Sequence, residues 1–170
     1  MRVVQLLRAV RAQPLDETEL QYIRGLLNEP QAELFFGLMT YEQRHALNVC
    51  RTLVSGGFGD DRELLQAALL HDLGKRDPDN NRHVPIWGKC ANVLLSAIGG
   101  KNLVARLASP NPQSWRYVFY LQTGHEARSA QLATRARSTS KVIALVGDYH
   151  ALEQRGDPAA KALAWADDLN

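Results

Sequence analysis

RELLQAALLHDLGK, Arg62 to Lys75, is the stretch on which the fold turns. Leu64, Leu65, Ala68, Leu69 and Leu70 crowd a helix with apolar side chains on nearly every face, and a helix of that kind belongs in the middle of a fold, covered by others. Asp60 or Asp61, closing the breaking run GGFGDD, is placed to cap its start. Its far end carries His71 and Asp72 side by side, with Gly74 placed to stop it. A carboxylate in an apolar setting is costly without a partner. An imidazole nitrogen and a carboxylate oxygen offered from one backbone support suit a shared cation. The plain alternative is that Asp72 caps the turn or pairs with a Lys or Arg while His71 satisfies a carbonyl.

Outward from this stretch, helix start and stop signals recur and period-two alternation is nearly absent, so the chain reads as all-α. Asp16 caps a helix to about Leu27, and Pro30 opens a short one with Leu34, Phe35 and Leu38. Thr40 and Gln43 have capping-box spacing and open a helix through about Val54. Lys75 to Arg82 reads as a polar loop, Pro85 begins a helix to about Ile98, and a short helix spans about Asn102 to Ala108. Trp115 to Arg137 reads as two helices bent near Gly124 and His125. Ser138 or Thr139 caps a helix from Lys141 to His150, and Asp157 with Pro158 starts the last one. Segment 1–28 is expected to be an N-terminal helical piece packed on a helical domain of residues 29–170.

Composition narrows the function. The 170 residues, 45% hydrophobic, suffice for one core, and no stretch approaches the length of a transmembrane helix. A net charge of +2 gives no strong nucleic-acid signal and no reason for an anionic membrane. The start, MRVVQLLRAVRAQP, is basic and amphipathic but has no uninterrupted apolar core of a signal peptide. Cys50 and Cys90 sit in apolar runs without zinc-knuckle spacing, as buried free thiols of a cytoplasmic protein do. Self-association into a homo-oligomer stays open.

No single segment supplies the four or so ligands a divalent ion takes. His45 in its helix, the His71 and Asp72 pair, His125 at a helix break, His150 at a helix end and Asp167 in the last helix would have to converge. At these residues the chain resembles the HD-domain metal-dependent phosphohydrolases, which carry a His in one helix, a His-Asp pair ending another and an Asp in a late helix. The resemblance rests on YEQRHALNVCRTL, LLHDLGK and LAWADDLN and runs from about Met39 to the end. It implies an HD-type helical bundle with His45, His71, Asp72 and Asp167 as metal ligands, Asp168 being the alternative for the last. GHEARSAQLA resembles a segment that holds a second ion in HD-GYP phosphodiesterases, which maps to His125. In VIALVGDYHAL, Tyr149 and His150 stand where those proteins have two histidines, so only His150 carries over, and the GYP signature itself is missing. The chain looks more like the compact bacterial HD proteins.

The resemblance implies one or two divalent ions, and the mixed donors suit Mn, Fe, Co, Ni or Zn better than Mg. Such an ion lowers the pKa of bound water and neutralises a phosphoryl oxygen, which suits hydrolysis of a phosphate mono- or diester, a small phosphorylated molecule such as a nucleotide. Asp72 doubles as a candidate to orient water. Lys75, just past Gly74, is a candidate phosphate contact, its alternative being a lysine that complements a helix C-terminus. Arg76, Arg82 and His83 follow in the loop, His83 reading better as a surface residue. Trp115, Tyr117, Phe119 and Tyr120 around Arg116 read as core packing rather than base stacking, as do Trp87 and Trp165. Two other functions fit the same residues: a di-iron oxygenase, and a non-catalytic ligand-sensing or structural domain whose ion joins helices.

Overall fold

The computed structural model describes residues 12–170, so most of the basic amphipathic start lies outside the described residues. The chain is predominantly helical, a bundle with one two-stranded hairpin, as the helical patterning predicts. In chain order the elements are α1 (Glu17–Leu26), α2 (Glu29–Phe36), α3 (Thr40–Leu53), α4 (Arg62–Leu70), β1 (Arg76–Asp77), β2 (Arg82–His83), α5 (Ile86–Leu107), α6 (Tyr117–Thr123), α7 (His125–Arg135), α8 (Ser140–Gln154) and α9 (Pro158–Leu169).

Caps set most of these boundaries. Asp16 accepts from Glu19 N–H at 2.9 Å while Glu19 accepts from Asp16 N–H, a reciprocal box that Asn28 and Gln31 repeat at α2. Asp61 caps α4, Thr139 caps α8 and Asp157 caps α9. The expected Thr40–Gln43 box does not form. Met39 holds the N-cap position and donates its N–H to Glu42 at 3.3 Å, while the Gln43 amide turns back to the carbonyls of Phe36 and Leu38. The polar loop after the motif folds back as the β1–β2 hairpin, pairing Arg76 with His83 and Asp77 with Arg82. The two helices expected over 85–108 run on as α5, but Gly100, at φ 68°, breaks its course where the sequence suggests a gap.

The main core gathers around α4, whose Leu64, Leu65, Ala67, Ala68, Leu69 and Leu70 are all buried. Packing against it are α3 and α8; α8 in turn packs on α7 and α9, and α9 returns to α3. Ile23, Phe35, Leu47, Leu53, Leu145 and Leu163 complete that core. A second, smaller cluster of Val84, Val104, Tyr117, Val118, Phe119 and Leu121 joins α5 to α6. Tyr117 and Phe119 are thus core residues as expected, whereas Trp115, Trp87 and Trp165 are exposed. Among the described residues no helix is long and apolar enough to cross a membrane.

One buried charge fastens α1 to the bundle. Glu19 accepts from Arg44 at 2.6 Å and Arg51 at 2.8 Å. The Arg44 hydrogen bond, working against burial, brings its pKa down from 4.5 to about 2. A carboxylate depressed in the fold stabilises it above its unfolded pKa and loses that contribution as pH falls through the folded value. Thermal stability is therefore expected to drop between pH 4.5 and about 2. Glu19→Gln should flatten that part of the curve and cost up to about 3 kcal/mol near neutrality; parallel curves for the two proteins would refute the assignment.

Candidate metal centre

The buried course of α4 delivers the centre. His71 is its C-cap, still in helical conformation, and Asp72 leaves the helix at φ −97° and ψ 5°, so the adjacent side chains turn into the space between α3, α7 and α9. Both are buried, at 3% and 2% exposure. From α3 comes His45, whose Nε2 lies 3.0 Å from Asp167 Oδ1 in the last turn of α9. The same oxygen lies 3.6 Å from His71 Nε2, and Asp72 Oδ1 is also 3.6 Å from that nitrogen. Donor atoms of His45, His71 and Asp167 all fall within 4.8 Å of one another.

The hydrogen bonds prepare these atoms for an ion. His71 Nδ1 sits 2.8 Å from the Ala68 carbonyl, which holds a proton there and leaves Nε2 facing the carboxylates, where a bound ion would take the place of its proton. That Nε2 is buried and has no hydrogen-bond partner, a cost a ligated cation would remove. Burial opposes a charged His71, yet the fields of Asp72 and Asp167 overcome it and push its pKa up to about 9. The site thus draws a positive charge to the place where the imidazoles meet. Asp72 and Asp167 are driven well below the usual carboxylate range. Burial opposes this in both; Lys75 and His71 outweigh it at Asp72, and His45 and His71 at Asp167. Imidazole nitrogen and carboxylate oxygen in this number fit a divalent transition metal, and the cluster could coordinate one ion.

Asp167 enters the cluster, whereas Asp168 is exposed. His125, the first residue of α7, brings Nε2 to 4.0 Å from Asp72 Oδ1, with its Nδ1 at the Gln122 carbonyl. Burial and then the Lys75 ammonium hold it down to about 4, so it is neutral. Lys75 places Nζ 2.5 Å from Asp72 Oδ2. The structure does not bring His150 in. Its ring is exposed beside Glu153, 3.8 Å away, because α8 buries the preceding residue instead. That residue is Tyr149, whose hydroxyl donates to Asp167 Oδ2 at 2.8 Å. Each central carboxylate therefore has one oxygen engaged by Tyr149 or Lys75 and the other facing the imidazoles. Arg76, Arg82 and His83 lie on the hairpin, outside the cluster; His83 is half-buried rather than at the surface.

Sequence patterning passes over what fastens α7 to the motif. Gly74 does not end α4, which stops at Leu70; it sits in a 3-10 turn, Leu73–Lys75, with α7 packed directly on it. A Cβ there would lie 1.9 Å from the His125 carbonyl oxygen. Gly74 N–H donates to Ser129 Oγ at 2.8 Å, Ser129 donates to the His71 carbonyl at 2.8 Å, and Arg128 Nε donates to the Gly74 carbonyl at 3.0 Å. Comparison with protein-family models, with curated proteins and with solved structures finds no match to this chain.

Proposed function

We propose that the chain is an HD-type metal-dependent hydrolase of phosphate esters. The observation that carries this reading is the orphaned, buried Nε2 of His71, aimed at one oxygen each of Asp72 and Asp167 with His45 closing the set. His45, His71, Asp72 and Asp167 would hold the ion, which when bound supplies an acidified water and neutralises a phosphoryl oxygen. Asp72 Oδ1 and neutral His125 Nε2, 4.0 Å apart beside the cluster, would orient water for in-line attack. Lys75, with one N–H spent on Asp72, has others to offer a phosphoryl oxygen. Tyr149 holds Asp167 in the orientation the cluster needs.

The test is metal quantification on protein expressed in medium supplemented with Mn, Fe, Co, Ni or Zn, followed by phosphate release from an aryl phosphate. At least one ion per chain and metal-dependent turnover are expected. Asp167→Asn is expected to lower metal affinity by more than the roughly 10- to 100-fold that loss of an outer partner of a ligand costs, and turnover with it. Protein that stays metal-free in every medium, or loaded protein inert toward all esters, would refute the reading.

A further inference from the structure

A second ammonium stands beside the centre and the scheme above leaves it idle. Lys89, in the first turn of α5, reaches back to α3, where its Nζ lies 3.4 Å from Glu42 Oε1 and 4.1 Å from the centroid of the Tyr41 ring. This anchorage is itself rigid. Glu42 is 1% exposed, with Oε2 accepting from Met39 N–H and Oε1 accepting from the Tyr41 hydroxyl at 3.2 Å; that hydroxyl also bonds the Val84 carbonyl. The base of Lys89 is pinned as well. Gly88 packs so tightly on α6 that a Cβ would lie 2.4 Å from Val118, and Gln122 donates to the Gly88 carbonyl at 2.9 Å.

Glu42 and His45 are three residues apart on α3, hence neighbours on one helix face. The carboxylate that holds Lys89 thus stands about one helical turn along α3 from the proposed ligand His45. The Lys89 side chain keeps partial access to solvent, at 24% exposure. Burial and then Lys75 bring Lys89 down to about 8, against the pull of Glu42 and Asp72, so it is still largely charged at neutral pH. Asp72, Asp167 and Glu42 supply three negative charges, while the two lysines and one divalent ion would supply four positive ones. The surplus favours an anion, and a second negative charge on it would draw on both lysines.

We propose that Lys75 and Lys89 form an oxyanion subsite beside the metal cluster that takes a dianionic phosphoryl group, so that the chain acts on phosphomonoesters in preference to phosphodiesters. The subsite rests on the hydrolase reading for its place in catalysis, but its binding can be measured separately. Calorimetric titration of the purified protein with inorganic phosphate is expected to show binding that weakens at least about tenfold in Lys89→Met and is retained within about threefold in Lys89→Arg. Because Lys89→Met strands the buried Glu42 charge, the paired variant Glu42→Gln with Lys89→Met, which leaves no charge unpartnered, should show the same loss. On metal-loaded protein, Lys89→Met should lower kcat/KM for an aryl phosphomonoester about tenfold while changing that for a bis-aryl phosphodiester by less than about twofold. Undiminished phosphate binding in both Lys89→Met proteins, or equal losses on the two esters, would overturn the subsite. Absence of turnover on either ester, with phosphate binding still dependent on Lys89, would sink the hydrolase reading and leave the subsite standing.

Discussion

Asp72→Ala is expected to abolish metal binding and to lower the melting temperature by roughly 10 °C, the two losses arriving together because one carboxylate serves both. Asp72 is 2% exposed and faces three basic groups: Lys75 at 2.5 Å, His71 at 3.6 Å and His125 at 4.0 Å. Removing the carboxylate costs about 3–5 kcal/mol, because the Lys75 and His71 charges are left uncompensated. The partly exposed Lys75 can swing toward water, which places the expected cost near the lower end, about 3 kcal/mol. The neutral isostere Asp72→Asn separates the contributions: it keeps the volume and a carbonyl oxygen for Lys75, so it should recover part of the stability and little of the metal affinity. Differential scanning calorimetry with metal analysis on the three proteins decides the matter. Wild-type metal content in Asp72→Ala would mean that the ion sits elsewhere.

The elements that sequence conveys best are those specified locally. Asp16, Asp61, Thr139 and Asp157 each act on a backbone N–H three residues ahead, and α1, α4, α8 and α9 begin where they stand. The apolar surround of α4 likewise announces its central place. Contributions that depend on chain-distant contacts are not legible in this way. Gly74 reads as a helix stop until α7 is seen lying on it. At the centre, donor atoms of His45, His71 and Asp167 meet, a convergence that the resemblance alone, and no local signal, implies. The same reading treats His150 as an equal of His125, yet α8 turns Tyr149 inward and His150 out. Which of two adjacent residues faces a core follows from the rotation of the helix on its neighbours, and with Val142, Leu145, Val146 and Tyr149 buried the stripe falls on Tyr149. Lys89 carries no local signal at all: its significance comes from Glu42, 47 positions earlier in the chain.

The close approach of α7 leaves no room for a side chain at Gly74. In Gly74→Ala the new methyl would lie 1.9 Å from the His125 carbonyl oxygen, 2.7 Å from its carbonyl carbon and 2.8 Å from Ser129 N, all backbone atoms, so no side-chain rotation relieves the overlap. Either α7 retreats or the Leu73–Lys75 turn shifts, and both break the two hydrogen bonds through Ser129 and move His125 away from Asp72. Overpacking of this kind costs about 1–3 kcal/mol, and each buried hydrogen bond lost adds about 1 kcal/mol, for a total of about 4 kcal/mol. At roughly 2–4 °C per kcal/mol for a chain of this size, the melting temperature should fall by about 10 °C. Gly25→Ala supplies the control: that glycine lies within α1 with nothing inside 4 Å of a built Cβ, and the exchange should stabilise by about 0.5–1 kcal/mol. Unlike Asp72→Ala, Gly74→Ala keeps all four proposed ligands, so metal binding should weaken through displacement of the turn that carries His71 and Asp72 rather than vanish. A Gly74→Ala protein with the wild-type melting temperature would show that α7 does not rest on the motif turn, and the support inferred for His125 would fall with it.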